Sequence, residues 1–202
     1  FFVYMPQAPE DAIVIIYNDY NGQMRRDDTF KVLEISKSPL VLAPLKASKK
    51  TKSFIKFAQE FADECGYLSA TKGGDIYKSN NGRFRIDYFD VIRSHKTKRV
   101  VKTPARISQI TGKIEVSAEQ FRKYTIPMRM AILLHEYSHY YLNKNPSNEV
   151  EADLNGLKLY LELGYPKIDI YNVFLNVFKS SPSLQNKKRF KKLDSLVKKF
   201  KR

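Results

Sequence analysis

From Thr51 onward, apolar residues recur at three- and four-residue spacing: Phe54, Ile55, Ala58, Phe61 and Ala62. That stripe matches the 3.6-residue repeat of an amphipathic helix, and Gly66 marks its end. The period then changes. Between Tyr67 and Val91, Gly73-Gly74 and Asn81-Gly82 separate short runs, and residues 83–89 alternate polar with apolar as a half-buried antiparallel strand does. A hairpin is predicted there. Residues 106–110 and 113–117 alternate in the same way around Thr111-Gly112, predicting a second hairpin. Between the hairpins, Lys96, Lys98, Arg99 and Lys102 gather around His95 in what reads as an exposed loop. Upstream, residues 12–17 and 39–42 are short apolar runs among turn residues such as Asn21-Gly22, so residues 1–50 read as strands and loops of the same domain.

After Pro127 the pattern loses its polar face. Met128, Met130, Ala131, Ile132, Leu133 and Leu134 lead into His135 and on to Tyr140, Tyr141 and Leu142, the pattern of a buried helix. Asn143, Asn145 and Pro146 stop it. Ser147 is the expected N-cap of a following helix that runs to Leu163, with Gly164 and Pro166 closing it. A further helix spans about 168–178, and Ser180-Ser181-Pro182-Ser183 is a short linker. In residues 184–202, Phe190, Leu193, Val197 and Phe200 form an apolar stripe, while Lys187, Lys188, Arg189, Lys191, Lys192, Lys198, Lys199, Lys201 and Arg202 fill the rest. The whole is an α+β chain: an N-terminal region 1–50, a core 51–180, and a basic amphipathic helix 184–202.

Composition narrows the function classes. The chain has 202 residues, 43% of them hydrophobic, enough for one main core without disulfide staples. Cys65 is the only cysteine, which excludes an internal disulfide and any Cys-rich zinc knuckle. No apolar run approaches the roughly 20 residues of a spanning helix, so the expectation is a soluble protein, intracellular or virion-associated. The first residue, Phe1, leads to the further expectation of a trimmed or processed N-terminus. The formal charge of +15 attracts polyanions through its long-range field. An anionic partner, nucleic acid or an acidic assembly surface, would meet the cationic face of the last helix; a terminal helix packed on the domain with that face in water is the plainer reading.

Chemistry concentrates in His135-Glu136-Tyr137-Ser138-His139, a match to H-E-x-x-H. On a helix, two imidazoles one turn apart project from one face and can bind a single Zn²⁺. Glu136, beside the first ligand, is placed to take a proton from a water on the metal and return it to a leaving amine. A catalytic zinc needs a third protein ligand. The longer pattern H-E-x-x-H-x-x-G-x-x-H fails, because Leu142 and Asn145 stand at the Gly and third-His positions. Glu149, Glu151 and Asp153 lie on the next helix. Glu149 and Asp153 share a face, whereas Glu151 points roughly 200° away from Glu149 at about 100° per residue. Glu149 is thus the expected ligand, with Glu151 its competitor, and Asp153 falls where it can hold the outer nitrogen of a ligand histidine. Small Ala152 and Gly156 would let the two helices approach closely.

HEYSH followed by Asn148-Glu149-Val150-Glu151-Ala152-Asp153 resembles the gluzincin zinc peptidases, in the variant with E-x-x-A-D, as in small ImmA/IrrE-like proteases and CAAX-processing-type peptidases. The resemblance covers residues 106–164. It implies a zincin-like fold with a small antiparallel or mixed sheet, His135, His139 and Glu149 as zinc ligands, Glu136 as general base and Asp153 behind the ligands. It also implies a zinc metalloendopeptidase acting on a protein or peptide, which would pair with strand 106–110 or 113–117. Tyr140, Tyr141, Tyr160, His95 and Arg189 are candidates for stabilising the oxyanion. The alternative is a zincin-fold structural or interaction protein of a virion or another nucleic-acid-bearing assembly, its site regulatory or inactive.

Overall fold

The computed structural model describes residues 47–65, 74–180 and 182–200, so the strands expected at 12–17 and 39–42 lie outside the described residues. Helix α1 (Lys49–Glu64) starts where the Ser48 hydroxyl accepts a hydrogen bond from the Thr51 amide. Its stripe Phe54, Ile55, Ala58, Phe61 and Ala62 is buried, as the spacing requires.

The two hairpins build one four-stranded mixed sheet. β1 (Asp75–Lys78) pairs antiparallel with β2 (Arg85–Phe89), and β3 (Ala105–Ile107) pairs antiparallel with β4 (Ile114–Ser117). β2 and β4 join them in parallel, giving the order β1-β2-β4-β3. Registry puts Ile86 beside Ile114, and Tyr88 beside Val116 beside Ala105, so the centre of one face of the sheet is apolar and buried. The neighbouring register places Asp87 beside Glu115 on the other face. Both carboxylates are nearly buried, and cations offset the cost: Arg85 and Lys113 meet Asp87 at 2.6 and 3.0 Å, and Arg106 meets Glu115 at 2.6 Å. Gly112 turns the second hairpin at φ +70°, the left-handed region that glycine adopts without strain.

A four-residue helix α2 (Ala118–Phe121) leads to α3 (Ile126–Tyr141), which is capped by the Thr125 hydroxyl and carries Pro127 in its first turn, where no intrahelical N–H bond is lost. α3 is the axis of the fold: it packs on α4, α5, α1 and β3. Phe54 of α1 stacks on Tyr137, which stacks in turn on Tyr141. Buried Arg129 donates to the carbonyls of Ala62, Phe121 and Arg122, satisfying acceptors at the ends of α1 and α2.

Helix α4 (Glu149–Glu162) is capped by Asn148 rather than Ser147. The Asn148 side chain accepts from the Glu151 amide at 3.1 Å, while the Ser147 hydroxyl is drawn away to Gln109. Gly164, at φ +85°, follows its C-terminus. α5 (Lys167–Ser180) and α6 (Leu184–Lys199), capped by Ser183, complete the described chain. α6 lies on α4 and α5 with Leu193 and Val197 buried, and its Lys187, Lys188, Lys191, Lys192, Lys198 and Lys199 are exposed. Thus the described chain is a mixed α+β structure, a four-stranded sheet and six helices, in which no helix is long and apolar enough to cross a membrane.

The α3–α4 contact has no room for a methyl group at Gly156. A Cβ there would lie 2.9 Å from the His135 nitrogen and 3.0 Å from its Cα, both backbone atoms that cannot swing aside. Gly156→Ala is therefore expected to destabilise the protein by about 1–3 kcal/mol through overpacking, although alanine is the better helix former by about 1 kcal/mol. Thermal unfolding of the variant checks this; a raised melting temperature would show that the helices can part.

Candidate metal centre

The buried helix places His135 and His139 one turn apart on the side that faces α4, and the first turn of α4 brings Glu149 to them. His135 Nε2 and His139 Nε2 are 3.0 Å apart, and they lie 3.6 and 3.5 Å from the two Glu149 oxygens. Ligand atoms about 2.05 Å from a tetrahedral zinc would sit about 3.3 Å from one another, so the three side chains already converge to the spacing of one ion. Among the described residues this is the cluster of histidine and acidic groups that could hold a metal. Two nitrogens and one oxygen are a borderline donor set suited to zinc.

Each histidine is held from behind. Pro146 O lies 2.7 Å from Nδ1 of His139; a carbonyl only accepts, so Nδ1 carries the hydrogen and Nε2 is free to ligate. Oδ1 of Asp153 lies 3.0 Å from Nδ1 of His135, in an ion-pair contact whose angle falls short of a regular hydrogen bond. Asp153 is in turn clamped by Arg189 of α6, with Nε to Oδ2 at 2.7 Å and Nη2 to Oδ1 at 2.9 Å, a bidentate fork. The same Nη2 reaches Glu149 at 3.1 Å.

Electrostatics agree with this geometry. Burial works against a charge on His135, but its contacts with Asp153 and Glu149 and the nearby Glu136 charge outweigh that and lift its pKa to about 10. Carboxylates that favour a proton there favour a divalent cation equally. The contact with His135 holds Glu149 down to about 2 against its burial, with help from the charges of His135, His139 and Arg189. Burial raises the pKa of Glu136, while the two histidines and a backbone hydrogen bond from Ile107 pull it back only in part. A carboxyl raised in this way is suited to taking and returning a proton.

A cavity of about 500 Å³ opens over the cluster. It is lined by His135, Glu136 and His139 of α3, by Pro104, Ala105, Arg106 and Ile107, and by Val173 and Phe174 of α5. Of the five oxyanion candidates, Arg189 lines this cavity. Tyr160 is buried and donates to Pro166 O; Tyr140 and Tyr141 pack edge to face at the Gly112 turn; His95 is exposed beside Arg106. Glu151 accepts from the Lys144 amide at 2.9 Å and stays outside the cluster. Sequence reasoning missed the Arg189–Asp153 fork. The signal was its spacing: Arg189 stands one turn before buried Leu193, on the inward side of α6.

Removing one partner of a buried ion pair leaves the other uncompensated, so Arg189→Met is expected to cost about 3–5 kcal/mol near neutral pH. Asp153 is held below its ordinary 3.8 because Arg189 and His135 overcome the effect of burial. Its contribution is therefore fully present above pH 3.8 and fades as the pH falls through the lowered value. The gap between wild type and variant should narrow in the same direction. Denaturant unfolding at a series of pH values measures it, and a pH-independent gap would mean that Arg189 acts through packing alone.

No family model, no curated protein and no solved structure matches this chain, so its function has to be argued from the geometry of this centre.

Proposed function

We propose that the chain is a zinc-dependent endopeptidase with a gluzincin-type site on a zincin-like fold. The observation that carries the reading is the convergence of His135, His139 and Glu149 within 4.8 Å of one another, beside a buried-side glutamate and at the floor of an open cavity. His135, His139 and Glu149 would hold the ion, which when bound supplies Lewis acidity toward a water and a scissile carbonyl. Asp153 and Pro146 O fix the two imidazoles so that their Nε2 atoms face the same point.

Glu136 acts as the proton carrier. Its raised pKa lets it accept the proton of the attacking water and pass it to the departing amine. The Ile107 amide, which bonds this carboxylate, belongs to β3, so the strand orients the base as well as walling the cavity. β3 has β4 on one side and, among the described residues, no strand on the other. An extended polypeptide can add to that edge, which makes β3 rather than the internal β4 the substrate-pairing strand. Val173, Phe174, Ala131 and Ile132 give the cavity an apolar lining that excludes water from the reacting atoms.

Metal analysis and cleavage of an unfolded protein such as casein test the reading together. Wild type should bind one zinc and cleave; Glu136→Gln should keep the zinc and lose roughly 10²–10⁴-fold in rate; His135→Ala should lose the zinc as well. Zinc-free wild type, or a Glu136→Gln variant with undiminished cleavage, would sink the proposal.

A further inference from the structure

The segment between the two hairpins of the sheet is itself a small hairpin. Arg93 bridges Val100 in antiparallel fashion, the Ser94 amide donates to Arg99 O, and the Val101 amide donates to Ile92 O. Lys98 sits at its turn with φ 59°. Arg93, Lys96, Lys98, Arg99 and Lys102 are all exposed, and among the described residues no carboxylate pairs with any of them. Glu115, which His95 of the hairpin meets at 3.9 Å, is already taken by Arg106 at 2.6 Å, with Lys113 at 3.9 Å.

This basic hairpin is fastened to the cleft. The Arg106 guanidinium donates to Arg93 O at 3.0 Å and meets His95 Nε2 at 3.0 Å, while Arg106 itself lies on β3 and lines the cavity. Lys102, Thr103 and Pro104 run directly from the hairpin along the cavity into the strand. A chain that adds to the β3 edge is therefore led toward a row of unpaired cations held in a fixed turn.

We infer that the 93–102 hairpin is a specificity rim, and that the cleft selects polypeptides with acidic residues flanking the segment that lies on β3. The inference rests on the peptidase reading for its site. Nucleic acid fits the same charge less well. The hairpin offers no Phe, Tyr or Trp on which a base could stack, His95 is engaged with Arg106, and Glu136 and Glu149 at the cavity floor repel a phosphate backbone. Backbone pairing at a sheet edge, by contrast, is available to a peptide.

The test uses zinc-loaded Glu136→Gln protein and two fluorescein-labelled peptides that share an apolar centre, one flanked by Glu and the other by Gln. Anisotropy titrations at low salt should give about tenfold tighter binding of the Glu-flanked peptide, from a few exposed charge pairs. High salt should shrink that advantage. Adding Lys96→Gln, Arg99→Gln and Lys102→Gln should bring the ratio close to one. These side chains are exposed, and thermal unfolding verifies that the variant folds. Adding Lys187→Gln, Lys188→Gln and Lys191→Gln on α6 instead should leave the preference in place. Equal binding of the two peptides would overturn the inference, as would a preference that survives the hairpin substitutions or disappears with those on α6. A single-stranded oligonucleotide that needs the hairpin cations and that the Glu-flanked peptide does not displace would also overturn it, and would mark a nucleic-acid surface instead. Turnover by zinc-loaded wild type is scored separately: failure to cleave either peptide counts against the peptidase reading, while the binding ratio still judges the hairpin.

Discussion

Three carboxylates, Glu136, Glu149 and Asp153, crowd the face where α3 meets α4, and Asp153 is almost wholly removed from water. Burying such charge costs several kcal/mol per ion unless it is paired, so the geometry of this corner is dictated by what can pair with it. His135 answers from α3 and Arg189 from α6, and Asp153 lies between them. Much else follows from that chain of contacts. α6 has to dock where Arg189 can reach, and α4 has to lie close enough to α3 that only glycine fits at position 156. The pairing that solves a desolvation problem also points an imidazole nitrogen toward the place where a metal would sit.

The second histidine is held by a different device. His139 leans on the carbonyl of Pro146 in the short loop between α3 and α4, and Gln109, in the loop of the β3–β4 hairpin, donates to the same oxygen at 3.2 Å. The two histidines are thus tied to different parts of the molecule, one to the C-terminal helix and one to the β3–β4 hairpin. β3 contributes twice more, through the Ile107 amide on Glu136 and through the cavity wall. If the peptidase reading holds, packing, proton transfer and substrate access would be coupled through one short strand, so a change in its position would be felt by all three.

Local regularities in the chain account for most of the elements. The stripe in α1, the alternation of both hairpins and the nearly all-apolar first half of α3 each satisfy a periodicity rule on their own. The convergence of His135, His139 and Glu149 could also be read ahead of the structure, because two histidines and a glutamate on consecutive helices are governed by helical phase and a short loop. Three things lay beyond such reasoning. The parallel pairing of β2 with β4 depends on a crossover that neither hairpin encodes. The cap of α4 moved from Ser147 to Asn148 because Gln109, distant in sequence, competes for the serine hydroxyl. Arg189 reads from sequence as one of the basic residues of α6 and an oxyanion candidate; its place one turn before Leu193 marks it as inward, but nothing in the helix indicates that a buried aspartate 36 residues upstream would face it.

A chain with a formal charge of +15 is at first sight a poor host for a divalent cation. The range of the forces resolves this. Screening confines the influence of exposed charges to about 8 Å at physiological ionic strength, so the lysines of α6 and of the 93–102 hairpin count for little at the ligands. At the cluster itself Glu136, Glu149 and Asp153 stand around the two imidazoles, with Arg189 paired to Asp153 and Glu149, while Arg106 and Lys102 also line the cavity. Metal loading, in the proposed reading, would therefore be a local matter, set by groups at the cluster rather than by the distant surface lysines. Attraction of an acidic chain to the rim is set by exposed groups and fades with salt. Under the proposed reading, the carboxylates at the cluster would hold a cation while the exposed hairpin cations would draw in an anionic polypeptide, and screening would keep the two effects apart.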